Sequence, residues 1–370
     1  MVEMKVIPSP AKFKFLSYCG DRQGCGTIRV VYPSLLMNMY RYRGYIFEGD
    51  YLTSFINDAS FYRGYTFVQF QRSVTEAHLN IFRHYVDKIR GNVRVPLIYE
   101  IDDLLEGIPD WNYASDYYNK NISRVYELMG LVDGMVVSTE GLKERYSKYC
   151  NNIVVIPNHL PKFVWGDITP RHLGKERVGK VRIGWAGSEN HFCNIRSDAY
   201  KRGIRGGDFS DKILDYIRRT VNDYQWVISG ACPIELDDLR DKIEIYPWVS
   251  IFNYPAHLRS LDLDIGLALL KDCEFNSCKS NIKVLEYSVV GVPGVYSKVG
   301  PYNNMTLASN NDLEVIDNIE RLVNDRDFRR DVYNKDLGII RDQIYWEDDD
   351  GLNLRRYINS YLGLFNKGLE

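Results

Sequence analysis

The stretch "CKSNIKVLEYSVVGVP", Cys278 to Pro293, decides how the second half of this chain is read. Ile282, Leu285 and Val289 recur at helical spacing, so the stretch predicts a helix with one apolar stripe and Ser280 as its N-cap. Gly291 and Pro293 end that helix and lead into the strand "VPGVYS" (292–297). Lys279 and Lys283 stand four apart at the helix start, where the macrodipole and their mutual repulsion both disfavour them. A Lys283–Glu286 surface pair would return only about 0.3 kcal/mol and would leave Lys279 unexplained. A negative ligand at the helix start removes the conflict. The ammonium groups and free N–H groups would then converge on an anion such as a diphosphate, and Glu286 could accept hydrogen bonds from ribose hydroxyls.

Working outward, strand-like and helix-like segments alternate along the chain. "FKFLSY" (13–18), "YTFVQF" (65–70), "RVPLIYEI" (94–101), "GMVVS" (134–138) and "NIVVIPN" (152–158) are strand candidates. Helices are expected near Pro33, over roughly 75–90, in the Tyr-rich stretch after residue 101, and from Thr139. Residues 158–180 have no periodicity and carry prolines, glycines and mixed charge, as a linker does. The alternation then restarts with "VRIGWAG" (181–187), "QWVIS" (225–229), "KIEIYP" (242–247) and "LDIGLALL" (263–270). The fold class expected is α/β: two Rossmann-like domains facing a cleft, covered parallel sheets in each, and an amphipathic C-terminal helix (352–365) packing back on the first domain. The expected divisions are 1–165, 166–340 and 341–370, the last being the returning helical segment.

The 370 residues suit two domains, and the net charge of −2 supplies no global field for nucleic acid or membrane. No apolar run is long enough to span a bilayer, and the N-terminus lacks a signal-peptide core. Seven cysteines without CxxC pairs read as reduced thiols, so a cytoplasmic location is expected.

Several residues could carry chemistry. The loop "CGDRQGCGTIR" follows the first strand and holds Gly24, Gly26, Thr27 and Arg29. It reads either as an ordinary βα turn or as a loop facing an acceptor or a phosphate. The loop "GWAGSENHF" offers Gly187 and Ser188 to phosphate oxygens, and His191 is either a surface histidine or a cleft histidine. In "YEIDD", Asp102 and Asp103 stand at the carboxyl end of a buried strand, as cleft carboxylates or as caps of the next element. Asp262 and Asp264 of "LDLDIG" stand at the wrong end of their strand for a ligand, and "WEDDDG" (346–351) reads as a solvated helix start. No zinc-ligand spacing is present.

The layout resembles a GT-B glycosyltransferase, close to the large retaining family four. That family's nucleotide motif has two glutamates separated by seven residues before a small-residue–Gly–x–Pro segment. Glu286, Gly291 and Pro293 match it, and Cys278 stands at the first glutamate's position. The resemblance implies that Glu286 takes the ribose, that Asn281 and Ile282 give backbone contacts to phosphate, and that "GWAGS" and "GCGTIR" are the two glycine loops. Asp103 matches the aspartate of a His-Asp pair whose histidine is absent. The resemblance further implies transfer from a nucleotide diphosphate sugar, UDP-sugar favoured, to an acceptor hydroxyl, with retention and without a bound metal or other cofactor. Lys279, Lys283 and Ser188 would then balance the leaving diphosphate. An inverting course would need a positioned base, for which Asp102 or Asp103 stands.

The wording "FNSCKSNIKVLEY" is similar to a subgroup found in tailed-phage genomes. It implies an acceptor such as 5-hydroxymethylpyrimidine in double-stranded DNA, and a host-cytoplasm setting. The first hundred residues carry thirteen basic against eight acidic side chains. "NIRSDAYKRGIRGG" (194–207) adds Arg196, Lys201, Arg202 and Arg205 beside Tyr200, as a flexible DNA-contacting loop or as a solvated one. A glycan or lipid acceptor, or a non-catalytic binder of nucleotide sugar or nucleic acid, is the alternative. A nicotinamide dehydrogenase lacks its glycine fingerprint.

Overall fold

The computed structural model describes residues 12–21, 23–42, 45–171, 178–347 and 351–367. Lys5, Arg22 and Arg43 of the basic set, linker residues 172–177 and the acidic run 348–350 lie outside the described residues. The chain forms two compact units. The first comprises Met1–Asp102, Asn121–Asn158 and Gly351–Glu370, and the second Asp103–Lys120 and His159–Asp350.

In the first unit, β1 (Lys12–Tyr18), β2 (Arg41–Tyr42), β3 (Tyr45–Leu52), β4 (Phe67–Gln71), β5 (Leu97–Ile101), β6 (Gly134–Val137) and β7 (Ile153–Val155) make one sheet. The order is β2-β3-β1-β4-β5-β6-β7, parallel except for the β2–β3 hairpin. Strands β4, β5 and β6 are buried along their whole length, with Gln69, Gln71 and Glu100 as buried polar interruptions of otherwise apolar runs. Strand β3 was not anticipated: Glu48, Gly49 and Asp50 interrupt its apolar alternation. The C-terminal helix Leu352–Lys367 belongs to this unit, where Tyr361 stacks on Phe67 with ring centroids 4.3 Å apart.

The first helix opens earlier than Pro33 suggests. It runs from Gly24 to Met39, and Thr27–Val31 are wound as a π-helix. Pro33 has no N–H for the carbonyl of Arg29, four residues back. The wider winding just before it, in which Tyr32 N–H bonds to the Thr27 carbonyl, takes up that misfit.

In the second unit, β8 (Arg182–Gly187), β9 (Gln225–Gly230), β10 (Glu244–Pro247), β11 (Ile265–Ala268), β12 (Gly294–Ser297) and β13 (Ala308–Ser309) form a sheet in the order β10-β9-β8-β11-β12-β13. Every pairing in it is parallel. This is the doubly wound Rossmann order, and it reverses between β8 and β11. Helices Asp211–Thr220 and Asp312–Asn324 cover one face around Ile217, Trp226 and Ile319. Helices Tyr254–Ser260 and Ile282–Val290 cover the other around Leu258, Leu285 and Tyr287.

The grouping departs from a single boundary at residue 165, because Asp103–Lys120 joins the second unit. Asn112 Nδ2 donates to the Asn190 carbonyl at 3.1 Å, and Gly206 packs against the Trp111 ring.

Candidate functional site

Open α/β sheets bind ligands where the strand order reverses, at the carboxyl ends of the strands. In the second unit that point lies between β8, which ends at Gly187 and runs into Ser188, and β11, which leads to Lys271.

The helix of the opening stretch runs over Ile282–Val290. Its cap position is Asn281 and not the expected Ser280, and the Asn281 side chain makes no capping bond to the helix. Gly291 closes the helix in the left-handed conformation, φ +79°. Lys279 lies outside the helix, in the turn before it. Its ammonium stands 4.4 Å from the Phe275 ring centre and 3.9 Å from Asp103 Oδ1. The macrodipole conflict therefore falls on Lys283 alone.

Lys283 resolves it locally. Its Nζ donates to Glu286 Oε2 at 2.8 Å and to Tyr254 OH at 2.9 Å, and Tyr254 OH donates to Glu286 Oε2 at 3.2 Å. The Lys283–Glu286 pair is not a surface pair, since the two side chains are only 16% and 8% exposed. Burial pulls the Lys283 ammonium down, but the Glu286 carboxylate together with Tyr287 and Tyr302 outweighs it and the pKa ends above the ordinary lysine value. Burial first and the same carboxylate second push Tyr254 well up.

His191 follows the end of β8, and its Nδ1 lies 2.7 Å from Asp208 Oδ2. Asp208 Oδ1 accepts from Lys271 N–H and from Asn276 Nδ2, each at 2.8 Å. Asp208 and Lys271 also line a cavity of about 550 Å³ with Arg205, Lys298 and Asn311.

Other expected residues stand elsewhere. Arg29 is neither solvated nor open to an anion. It is buried, with Nε 2.6 Å from Glu100 Oε1 and NH1 bonded to the Ile156 carbonyl and Asn158 Oδ1. The first glycine loop is closed by its own side chain, since Asp21 Oδ1 accepts the N–H groups of Gln23 and Gly26. A Cβ on Gly26 would come within 2.0 Å of the Asp21 carbonyl, Gly24 faces open space, and Thr27 is buried. Asp102 is not an open carboxylate either: it is buried and ion-paired with Arg72, a left-handed residue at φ +46°.

The basic segment 194–207 is structured rather than a flexible loop. Ser197 caps a turn over Asp198–Lys201, Lys201 pairs with Asp198 at 2.9 Å, and Arg202 pairs with Asp116 at 2.9 Å. The Arg205 guanidinium lies 3.6 Å over the Tyr200 ring. Arg196 is exposed. Asp264 is buried at the amino end of β11 and paired with Arg171 at 2.5 Å, a structural role.

Sequence reasoning missed Tyr254, Asp208 and Arg72. "FNYP" and "GGDF" carry turn chemistry but no motif that joins them to residues 32 and 17 positions away.

No protein-family model matches the chain, and no curated protein matches it. Solved structures do match. A glycosyltransferase from Rickettsia africae ESF-5 aligns with TM-score 0.60 and 12% identity, over 96% of this chain and 99% of that one. The fold is GT-B. Anabaena HepE, in complex with UDP and glucose, aligns with this GT-B chain at TM-score 0.58 and 10% identity, covering 95% and 98% of the two chains. A T4 phage BGT mutant in complex with UDP-glucose aligns at TM-score 0.51 and 10% identity, covering 95% and 99%. Among the described residues, no helix of the GT-B chain is long and apolar enough to cross a membrane.

Proposed function

We propose that this GT-B protein is a glycosyltransferase that moves a sugar from a nucleotide diphosphate sugar to an acceptor hydroxyl. The observation that carries the reading is the Lys283–Glu286–Tyr254 network, which ties the start of helix Ile282–Val290 to helix Tyr254–Ser260. Glu286 there is held as a hydrogen-bond acceptor for ribose hydroxyls. The helix start, unblocked by any capping bond from the Asn281 side chain, offers backbone N–H groups at Asn281 and Ile282 to a diphosphate. Lys279 and Ser188 complete the donor set. Gly187, where a Cβ would run into the Trp185 ring, ends β8 just before Ser188. These cationic groups and dipoles stabilise the charge that develops on the leaving diphosphate, the part a metal plays elsewhere. UDP-sugar is the favoured donor, in keeping with the UDP-bound structures that share the fold.

Retention by front-face attack is the course proposed. The acceptor oxygen bonds to the anomeric carbon, the carbon–phosphate oxygen bond breaks, and the acceptor proton passes to the leaving phosphate oxygen. The first unit is assigned to the acceptor and the second to the donor. Asp103, 3.9 Å from Lys279, stands as the carboxylate of the reacting end.

The acceptor proposed is 5-hydroxymethylpyrimidine in duplex DNA, on the phage-like wording around Cys278 and the exposed Arg196 beside Lys201, Arg202 and Arg205. The test is mass spectrometry of hydroxymethylated DNA, glycan and lipid acceptors incubated with a panel of UDP- and GDP-sugars. A hexose or pentose mass added to the DNA supports the reading. Addition only to a glycan or lipid replaces the acceptor, and no transfer with any pair removes the enzymatic assignment.

A further inference from the structure

We infer that Asp208 is a positioning residue that holds His191 as its Nδ1–H tautomer, and so presents Nε2 as a hydrogen-bond acceptor to a hydroxyl of the bound sugar. The sugar clause rests on the glycosyl-transfer reading; the tautomer clause does not.

The two residues are brought together by backbone pairing, not by chance proximity of side chains. Phe192 and Gly207 form an antiparallel bridge, Cys193 N–H bonds to the Gly206 carbonyl at 2.9 Å, and Asp208 N–H bonds to the His191 carbonyl at 2.8 Å. A Cβ on Gly207 would lie 2.7 Å from the Phe192 ring and 2.9 Å from the His191 carbonyl, so only glycine permits this approach. The segment 194–205 is thus a closed excursion, and its two ends fix Asp208 beside His191.

The Asp208 carboxylate has no freedom left. Its side chain is 1% exposed, and Oδ1 is held by Lys271 N–H and Asn276 Nδ2. Asn276 is itself fully buried and also donates to the Lys271 carbonyl at 2.9 Å. That leaves Oδ2 aimed at Nδ1. A carboxylate only accepts, so Nδ1 must carry the proton. The buried Trp185 ring meets the imidazole edge-on at 5.5 Å and sets its plane. Nε2 has no protein partner among the described residues, and the His191 side chain is 20% exposed. The position is the carboxyl end of β8, beside the point where strand order reverses. A neutral nitrogen lone pair there selects a hydroxyl over a phosphate oxygen, which has no proton to give.

The experiment is long-range 1H–15N correlation on the 15N-histidine-labelled full chain at pH 8.5, above the ordinary imidazole pKa of about 6.5. The His191 signals are assigned by loss in His191→Gln. The expected wild-type result is an unprotonated Nε2. Asp208→Asn turns an amide toward Nδ1 and should swap the tautomer, and Asp208→Glu should restore it. UDP-glucose should shift Nε2 and UDP alone should not. Donor turnover should fall roughly tenfold or more in Asp208→Asn and His191→Ala, with no further loss in the double variant. A protonated Nε2 in the wild type overturns the inference, and that reading needs neither Asp208 variant to fold. Equal shifts with UDP and UDP-glucose overturn the hydroxyl clause. If neither ligand binds, the glycosyl-transfer reading falls together with that clause, and the tautomer result alone decides the role of Asp208.

Discussion

Lys283 and Glu286 form a largely buried ion pair one turn into a helix, Nζ to Oε2 2.8 Å, with Tyr254 bonded to both. Their roles separate on substitution. Glu286→Gln keeps the shape and removes the charge, so nucleotide-sugar affinity should fall ten- to a hundredfold by calorimetry, the worth of hydrogen bonds to a charged group. Lys283→Ala leaves the Glu286 carboxylate buried without its partner and should cost about 3 kcal/mol of unfolding free energy in urea as well.

Lys279→Ala should act on the ligand only. Lys279 has a cation–π contact with Phe275 and a 3.9 Å approach to Asp103, both modest in energy. Stability should change by less than about 1 kcal/mol while turnover falls, read by pairing thermal unfolding with a donor-consumption assay.

Arg29→Ala should behave in the opposite way. It strands Glu100, whose carboxyl burial raises to about 7 against the pull of Arg29. The expected cost is roughly 3–5 kcal/mol in chemical unfolding, with donor affinity in the surviving folded fraction unchanged.

Asp336 supplies a pH signature. It accepts the Thr306 N–H at 2.8 Å through Oδ1 while burial raises its pKa above the usual carboxylate range. The folded-state pKa exceeds the unfolded one, so its stabilising contribution is complete below the unfolded pKa and disappears as pH rises through the folded pKa. Asp336→Asn should therefore flatten the decline in stability between acid and neutral pH, measured as urea midpoints across that range.

Duplex DNA binding, if DNA is the acceptor, should weaken steeply with salt, and Arg196→Glu should lower the log–log slope by roughly one or more. A flat salt dependence would move the acceptor to a glycan or lipid.

Much of this was legible in the sequence because burial writes itself plainly. Strand β6 is a continuous apolar run, β4 and β5 are apolar but for Gln69, Gln71 and Glu100, and the strand–glycine–loop openings at residues 13–26 and 181–188 mark two α/β units. Lys283 and Glu286 were legible because they share one helix turn. Tyr254 and Asp208 were not, because their partners come from other elements and only the fold brings them within bonding distance. Arg29 read as a loop cation because no local signal shows that Glu100, seventy-one residues on, meets it in the interior. The short strand β13 and the interrupted β3 fell below what alternation can reveal.

Every role proposed for the second unit in glycosyl transfer depends on its binding a nucleotide diphosphate sugar through Glu286. Isothermal titration of UDP-glucose and related UDP- and GDP-sugars into the full chain and into Glu286→Gln tests it most directly. Saturable one-site binding of at least one donor to the wild type is expected, weakened at least tenfold in the folded variant. Absence of binding by every nucleotide sugar, or equal affinity in the two proteins, would contradict it.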